Sequence, residues 1–241
     1  MGSAFFLAFG IVQLTIPSTL HQSVVTVKIE IDKHPFVIHR ERLCHYSSYF
    51  RTHFTGNEAG RHTMEIPDQD REIFKIVEHW LYNQKLHQAD TGDGDLELSD
   101  MIRVYVFAFK FGMPLLQNAI VDSVLAIRGI LAEPQDVQYL CKNTPPKAPL
   151  QRLLVTMFAL DAKPLWFESR MDDLPKGFIS RIALLNISRL ARRLPDNPSP
   201  FETDICQYHE HNNTTETVQQ SATDHRRGSV IVLTSGHSRL V

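Results

Sequence analysis

The hydrophobic period of this chain changes near residue 40, and this change limits the folds that the chain can adopt. Residues 24–31 alternate between apolar and polar side chains, which predicts a half-buried strand. A polar turn and residues 35–39 predict a second strand, and therefore a hairpin. From residue 40 to residue 54 the apolar side chains recur at helical spacing. A hairpin followed directly by a helix indicates an α+β domain with a small sheet.

Up to residue 193 the rest of the chain is mainly helical in its pattern. Residues 63–66 predict a short third strand. Asp68 and Asp70 are candidate N-caps for the helix that follows, and Ser99 is a candidate for the next one. Gly112 suits the position just after a helix, and Pro114 suits the first turn of another. Apolar side chains at helical spacing predict these further helices: residues 73–81, 99–111, 114–127, 134–141, 150–160 and 175–193.

Composition divides the chain into four segments. An apolar N-terminal segment, residues 1–21, precedes the main domain, residues 22–127, and a helical C-terminal extension, residues 128–194, follows it. Residues 195–241 hold too little apolar surface to offset the entropy of ordering, so we predict a disordered polar tail. The role of the N-terminal segment stays open, because its apolar run is too short to span a membrane and lacks the basic residues that begin a secretory signal.

The residues around the first predicted helix follow the pattern HxxxLxxxSxYFRxxF, and the positions that we single out in it are His39, Leu43, Ser47, Tyr49, Phe50 and Phe54. This pattern resembles the signature of the BTB/POZ domain family. Downstream, Trp80, Leu81 and Tyr82 resemble part of the family's next helix, and the resemblance extends over residues 22–127. The segments 80–82 and 116–120 look most similar to those of fungal BTB proteins with a short helical extension. The resemblance implies the BTB/POZ fold, with a sheet of three or more strands and a cluster of helices.

The same resemblance implies a protein–protein interaction module and not an enzyme. Such a domain is expected to form homodimers or to dock other proteins through its helical face and its sheet edge, while its signature residues are structural. Within the family, a second possibility is an adaptor that brings substrates to a cullin-type ubiquitin ligase. The usual cullin contact is a hydrophobic-x-Glu element in the loop before the third strand. Asn57 and Glu58 lie in that loop as possible partner contacts, but Gly56 stands where the apolar residue belongs.

The sequence lacks two common catalytic and cofactor-binding motifs. It has neither a GxxxxGK[ST] phosphate loop nor a GxSxG nucleophile elbow, so we predict no catalytic residue and no cofactor. Cys206, His209 and His211 form a C-x2-H-x-H cluster and are weak candidates for metal ligands. Because no fourth ligand accompanies them, we predict no metal site.

Charge and cysteine usage bear on partners and compartment. The formal net charge is −2, so no global field attracts nucleic acid or an anionic membrane. Three cysteines without a paired spacing fit a reducing compartment, and we expect an intracellular protein of the cytoplasm or nucleus. The alternative from another class is a secreted or membrane-associated protein whose first 16 residues are a targeting segment. Glycosylation sequons at Asn186, Asn212 and Asn213 support that alternative.

Overall fold

The strands form one mixed sheet. In the computed structural model, the described residues are 23–29, 34–55, 62–86, 96–127, 129–191 and 205–211. β1 (Val24–Lys28), β2 (Phe36–His39) and β3 (Thr63–Glu65) lie in the order β2-β1-β3. β1 pairs antiparallel with β2, which confirms the predicted hairpin, and it pairs parallel with β3.

Alternation along the strands sorts their side chains between two faces. Val25 and Val27 of β1 and Ile38 of β2 are completely buried, as a period of two requires. The parallel partner β3 cannot be reached by a tight turn. The chain instead forms two helices between β2 and β3, α1 (Arg40–Tyr46) and α2 (Ser48–Thr55).

The single helix predicted over residues 40–54 is wrong at its centre. Ser47 interrupts it with extended backbone angles, φ −127° and ψ 120°. The Ser47 hydroxyl accepts a hydrogen bond from the Phe50 N–H at 3.1 Å, as the N-cap of a new helix does. The same hydroxyl donates to the carbonyl of Phe111 at 2.6 Å. A tertiary contact therefore overrides the local helical pattern.

Three longer helices follow the sheet: α3 (Arg71–Asn83), α4 (Leu98–Lys110) and α5 (Pro114–Ala126). Of the two candidate N-caps of α3, Asp70 and not Asp68 is the cap: its carboxylate accepts a hydrogen bond from the Glu72 N–H at 2.8 Å. This bond satisfies one of the backbone donors that every helix N-terminus leaves unpaired.

At the two ends of α4, the predicted N-cap is wrong and the predicted glycine after the helix is confirmed. Ser99 is not its N-cap; Glu97 occupies that position, and the buried Leu98 already belongs to the helix. Gly112 does adopt the left-handed conformation expected after a helix, with φ +59°. Pro114 opens α5 as predicted. The turn from α4 to α5 is therefore short and sharply defined.

The C-terminal extension consists of α6 (Pro134–Asn143), α7 (Pro149–Asp161), α8 (Pro164–Arg170) and α9 (Lys176–Ala191). α6, α7 and α9 lie where the apolar spacing predicts helices. α8 escapes prediction because it is short and none of its residues is fully buried, so it has no clear apolar period. One apolar cluster includes residues of the sheet and of the extension, so both pack on a shared core.

Residues 205–211, called the terminal segment from here on, pack against α5 and α7. Ile205–Tyr208 form one 3-10 turn, and Tyr208 is only 3% exposed. These residues depart from the prediction of a disordered tail, because one aromatic side chain and several polar contacts offset the ordering entropy locally. The rest of residues 195–241 lies outside the described residues.

Candidate interaction surfaces

The two parts of the signature, around residues 39–54 and 80–82, lie against each other. The Tyr82 hydroxyl accepts a hydrogen bond from the His39 backbone N–H at 3.1 Å and lies 2.8 Å from His39 Nδ1. The Arg42 guanidinium donates to the Leu81 carbonyl at 3.0 Å. His39 and Arg42 therefore join the start of α1 to the end of α3.

A second contact connects the start of α2 to the end of α4. The Phe50 ring stacks on the Phe111 ring with centroids 5.3 Å apart. The Ser48 N–H donates to the Gly112 carbonyl at 3.0 Å. A Cβ atom on Gly112 would overlap the Ser48 hydroxyl, so the close approach requires glycine. We call Ser47, Ser48, Phe111 and Gly112 the α2–α4 junction.

Exposure separates one signature residue from the other eight. Six are buried: Leu43, Ser47, Phe50, Phe54, Trp80 and Leu81. His39 and Tyr82 are partly buried. Tyr49 is 46% exposed, and its ring meets the Phe111 ring edge-on at 5.1 Å. Of these nine residues, Tyr49 is the one whose side chain is most available to a partner.

Further large apolar side chains are exposed, and two groups of them are close together in the sequence. Phe109 and Leu115 are exposed and lie within three residues of Gly112 along the chain. On α9, three exposed side chains follow one side of the helix: Leu184, Ile187 and Leu190. Exposed apolar surface of this kind is a candidate for protein contact.

Two predicted features lie outside the described residues. The loop with Asn57 and Glu58 belongs to residues 56–61, and the apolar N-terminal segment falls within residues 1–22. Both stay predictions. Within the part of the chain that the structure describes, no helix combines the length and hydropathy needed to cross a membrane.

The candidate metal ligands of the terminal segment contact other groups. His209 Nε2 lies 2.8 Å from Asp122 Oδ1, and His211 Nε2 lies 3.0 Å from the Cys206 carbonyl oxygen. Across the described ranges, no three His, Cys, Asp or Glu side chains are grouped as ligands for a metal ion. The His209 contact instead joins the terminal segment to α5.

A polar cleft of about 580 Å³ lies between the start of α3, α4 and α6. Asp70, Arg103, Asp136 and Tyr139 are among its lining residues. Burial raises the pKa of the Asp136 carboxyl, and the Arg103 cation opposes this effect. Burial is also the largest cause of the raised pKa of the Tyr139 hydroxyl. These causes are those of an ordinary polar surface and by themselves point to no reaction.

A polar network ties α9 to α6 and α7. The Arg181 guanidinium donates to Gln151 Oε1 at 2.6 Å and to the Pro146 carbonyl. The Gln151 amide in turn donates to the Thr144 carbonyl at 3.0 Å and to its hydroxyl at 2.9 Å. Gln151 is 1% exposed, so Arg181 satisfies an acceptor that has no access to water.

Comparison with known families assigns the first part of the chain. Residues 17–126 match the family model of the BTB/POZ domain. This segment has the BTB/POZ fold. The three-stranded sheet, the surrounding helices and the helical extension agree with the α+β BTB/POZ architecture. A BTB/POZ domain is a protein–protein interaction module, which confirms the function class expected from the signature. A search among curated proteins found no match to this chain.

Proposed function

We propose that the BTB/POZ domain self-associates, with the exposed ring of Tyr49 at the centre of the contact. The supporting observation is that this ring is half exposed while most of the other signature residues pack inside the domain. Tyrosine is enriched among the residues that contribute most to protein interfaces. Phe109 and Leu115 add exposed apolar surface near the same junction.

The surroundings of Tyr49 support this role because they hold its ring in place. The ring contacts Phe50 and Phe111 edge-on, with centroids 5.6 Å and 5.1 Å away. Both of these neighbours are buried. A side chain that is already ordered loses little conformational entropy when a partner binds it.

The sheet edge, the other expected contact surface, is a poorer candidate. β2 lies at the edge of the sheet, but the Tyr82 hydroxyl already accepts the His39 N–H there. β3, at the opposite edge, is only three residues long. Short or covered edge strands offer few unpaired backbone groups to a partner. The proposed interface is therefore on the helical face.

The test is the oligomeric state of the full chain, measured by light scattering over a range of concentrations. A stable homodimer of standard size buries roughly 1,600 Å² in total. We expect a dimer for the wild type and a shift toward monomer for the double variant Tyr49→Ser/Leu115→Gln. The matched control, Leu184→Gln/Ile187→Gln, removes exposed apolar side chains from α9 and should leave the dimer unchanged.

Two outcomes would rule out this interface. One is a wild-type chain that stays monomeric at high micromolar concentration. The other is a dimer that survives the change at Tyr49 and Leu115 but dissociates in the α9 control.

The adaptor role is a second proposal within the same family. It depends on Glu58 in the loop before β3, where Gly56 departs from the hydrophobic-x-Glu pattern. A pull-down with cullin by the wild type and by Glu58→Ala separates the two roles. Recovery of cullin by the wild type, lost in the variant, would support an adaptor; no recovery by a folded wild type would exclude it.

We also propose that the protein acts inside the cell, and the resemblance to fungal BTB proteins likewise stays a proposal. No disulfide joins Cys44, Cys141 and Cys206, which fits a reducing compartment. A targeting role for residues 1–16 would instead predict glycans at sequons such as Asn186. Fractionation of the tagged full chain, followed by glycosidase digestion, distinguishes these cases. A glycosidase-sensitive change in mass would contradict the intracellular assignment.

A further inference from the structure

The terminal segment lies between two pairs of side chains, each pair spaced by one helical turn. Asn118 and Asp122 contact it from α5. Arg152 and Thr156 contact it from α7. Because residues at i and i+4 share a helix face, each pair forms one wall of a groove.

Asn118 contacts the backbone of the terminal segment rather than a side chain. Its Nδ2 donates to the Glu210 carbonyl at 3.0 Å, and its Oδ1 accepts from the Glu210 N–H at 2.7 Å. The two bonds use both hydrogen-bonding groups of one peptide residue. They fix the direction and register of a bound chain without specifying the side chain at that position.

Tyr208 supplies the side chain that anchors the segment. Its hydroxyl donates to Thr156 Oγ1 at 3.2 Å, and the Arg152 guanidinium lies 5.9 Å from the centroid of its ring. Tyr208 and Thr156 are both buried, so this hydrogen bond is made away from water. Burial of an aromatic ring with its hydroxyl satisfied is a common form of anchor in protein recognition.

The residue between these two contacts also has a partner. His209 Nε2 lies 2.8 Å from Asp122 Oδ1, with the Asp122 side chain 58% exposed. An exposed contact of this kind adds little affinity, but it favours a side chain that can donate a hydrogen bond. The groove therefore favours a different feature at each of three successive positions. These features are a tyrosine at 208, a side chain that donates a hydrogen bond at 209, and a residue at 210 whose backbone N–H and carbonyl are free to bond Asn118.

We infer that the groove between α5 and α7 is a binding site for linear peptides and that the terminal segment occupies it in cis. The partner that fits is a segment of another protein with a tyrosine, then a hydrogen-bond donor, then a residue with free backbone groups. Such a segment competes with residues 205–211 for the groove. This inference goes beyond self-association through Tyr49, because Tyr49 takes no part in the groove.

The test begins with the full chain carrying Tyr208→Ala. This change removes the anchor of the cis segment and leaves the four groove side chains unaltered. The probe is a fluorescein-labelled peptide with the sequence of residues 204–212, carrying Cys206→Ser to prevent oxidation. We expect fluorescence anisotropy to show binding to the variant and at least tenfold weaker binding to the wild type, because the cis segment competes with the probe.

Changes in the probe test how it is recognised. Methylation of the backbone nitrogen at the Glu210 position removes the donor to Asn118 and should weaken binding about tenfold. Replacement Glu210→Ala changes only the side chain and should leave binding within about twofold, because both Asn118 contacts are made to the backbone. Replacement Tyr208→Ala in the probe should remove detectable binding.

Changes in the groove test the same contact from the protein side. In the Tyr208→Ala chain, adding Asn118→Ala should weaken binding of the unmodified probe at least tenfold. The matched control is Ser123→Ala, also on α5, whose hydroxyl bonds the Ala119 carbonyl of its own helix. Circular dichroism establishes that each variant is folded.

Three results would overturn the inference: no binding of the probe to a folded Tyr208→Ala chain, equal binding to that chain and to the wild type, or binding that Asn118→Ala leaves unchanged. Light scattering of the same variants reports the oligomeric state. Failure of self-association can therefore be distinguished from failure of peptide binding.

Discussion

The hydroxyl of Ser47 donates a hydrogen bond of 2.6 Å to the carbonyl oxygen of Phe111, which lies 64 positions later in the chain. Ser47 is completely buried, and its oxygen also accepts the N–H of Phe50. One side chain therefore ends the first helix of the signature, begins the second and attaches both to α4.

Replacing Ser47 by alanine should be strongly destabilising. Ser47→Ala leaves the Phe111 carbonyl and the Phe50 N–H without this partner, and we expect a loss of about 2–3 kcal/mol in the free energy of unfolding. Urea denaturation measures it. The control is Ser48→Ala, at an exposed neighbouring position, which should cost less than about 0.5 kcal/mol. Equal effects at the two positions would contradict the role given to Ser47.

Gly112→Ala should destabilise the protein for two separable reasons. The backbone there has φ +59°, and the new Cβ would overlap the Ser48 hydroxyl. We expect a total cost of about 1–3 kcal/mol, measured by thermal denaturation.

Two companion variants separate these causes. Gly129 has φ +85°, and a Cβ atom there would have nothing within 4 Å. Gly129→Ala therefore reports only the loss of stability that comes from the backbone conformation. Combining Gly112→Ala with Ser48→Ala removes the overlapping oxygen and should recover part of the lost stability. If the double variant recovers nothing, the overlap is not the cause.

Arg181→Met should loosen α9. The change leaves the buried Gln151 Oε1 without its Arg181 donor, and the Pro146 carbonyl loses one as well. Gln151 Oε1 then keeps the weaker thiol donor of Cys141, 3.6 Å away, and losing the charged donor costs about 1–3 kcal/mol. Hydrogen exchange of the α9 amides should become faster, while exchange in β1 changes less. Lys176→Met, which removes an exposed cation from the same helix, is the control and should leave exchange in α9 unchanged.

The cysteines should differ in their reactivity. Burial raises the pKa of the Cys44 thiol and of the Cys141 thiol above the ordinary value, which lowers their thiolate fractions at pH 8. Cys206 is exposed. We expect iodoacetamide at pH 8 to modify Cys206 first and the other two at least tenfold more slowly, as measured by mass spectrometry of peptides. Raising the pH should accelerate Cys44 and Cys141, and comparable rates for all three at pH 8 would contradict the prediction.

Local periodicity explains why much of the fold could be predicted. The β1–β2 hairpin, the cap at Asp70 and the start of α5 at Pro114 each depend on a few adjacent residues. The break at Ser47 depends on a carbonyl that is distant in the sequence, and α8 has no fully buried residue that would give it a clear apolar period. Neither the break at Ser47 nor helix α8 can therefore be predicted from a short stretch of sequence.

The groove between α5 and α7 could not be predicted from the sequence for a similar reason. Asn118 and Asp122 look like the solvent face of an amphipathic helix, which is the usual position of such residues. Asn118 meets Glu210, which is 92 positions away, and Asp122 meets His209, which is 87 positions away. An available signal is Tyr208, an aromatic residue within a polar tail, but such a residue does not by itself identify the surface that receives it.

The terminal segment and the groove belong to one chain, and residues 192–204 separate the segment from α9 in the sequence. A ligand that is covalently linked to its own site behaves as if it were present at about millimolar concentration. A partner at micromolar concentration must therefore bind roughly a thousandfold more tightly than the untethered segment to fill half of the grooves. The intramolecular link therefore sets an affinity threshold for partners, and changing the number of residues between 192 and 204 should shift this threshold without altering any residue that contacts a partner.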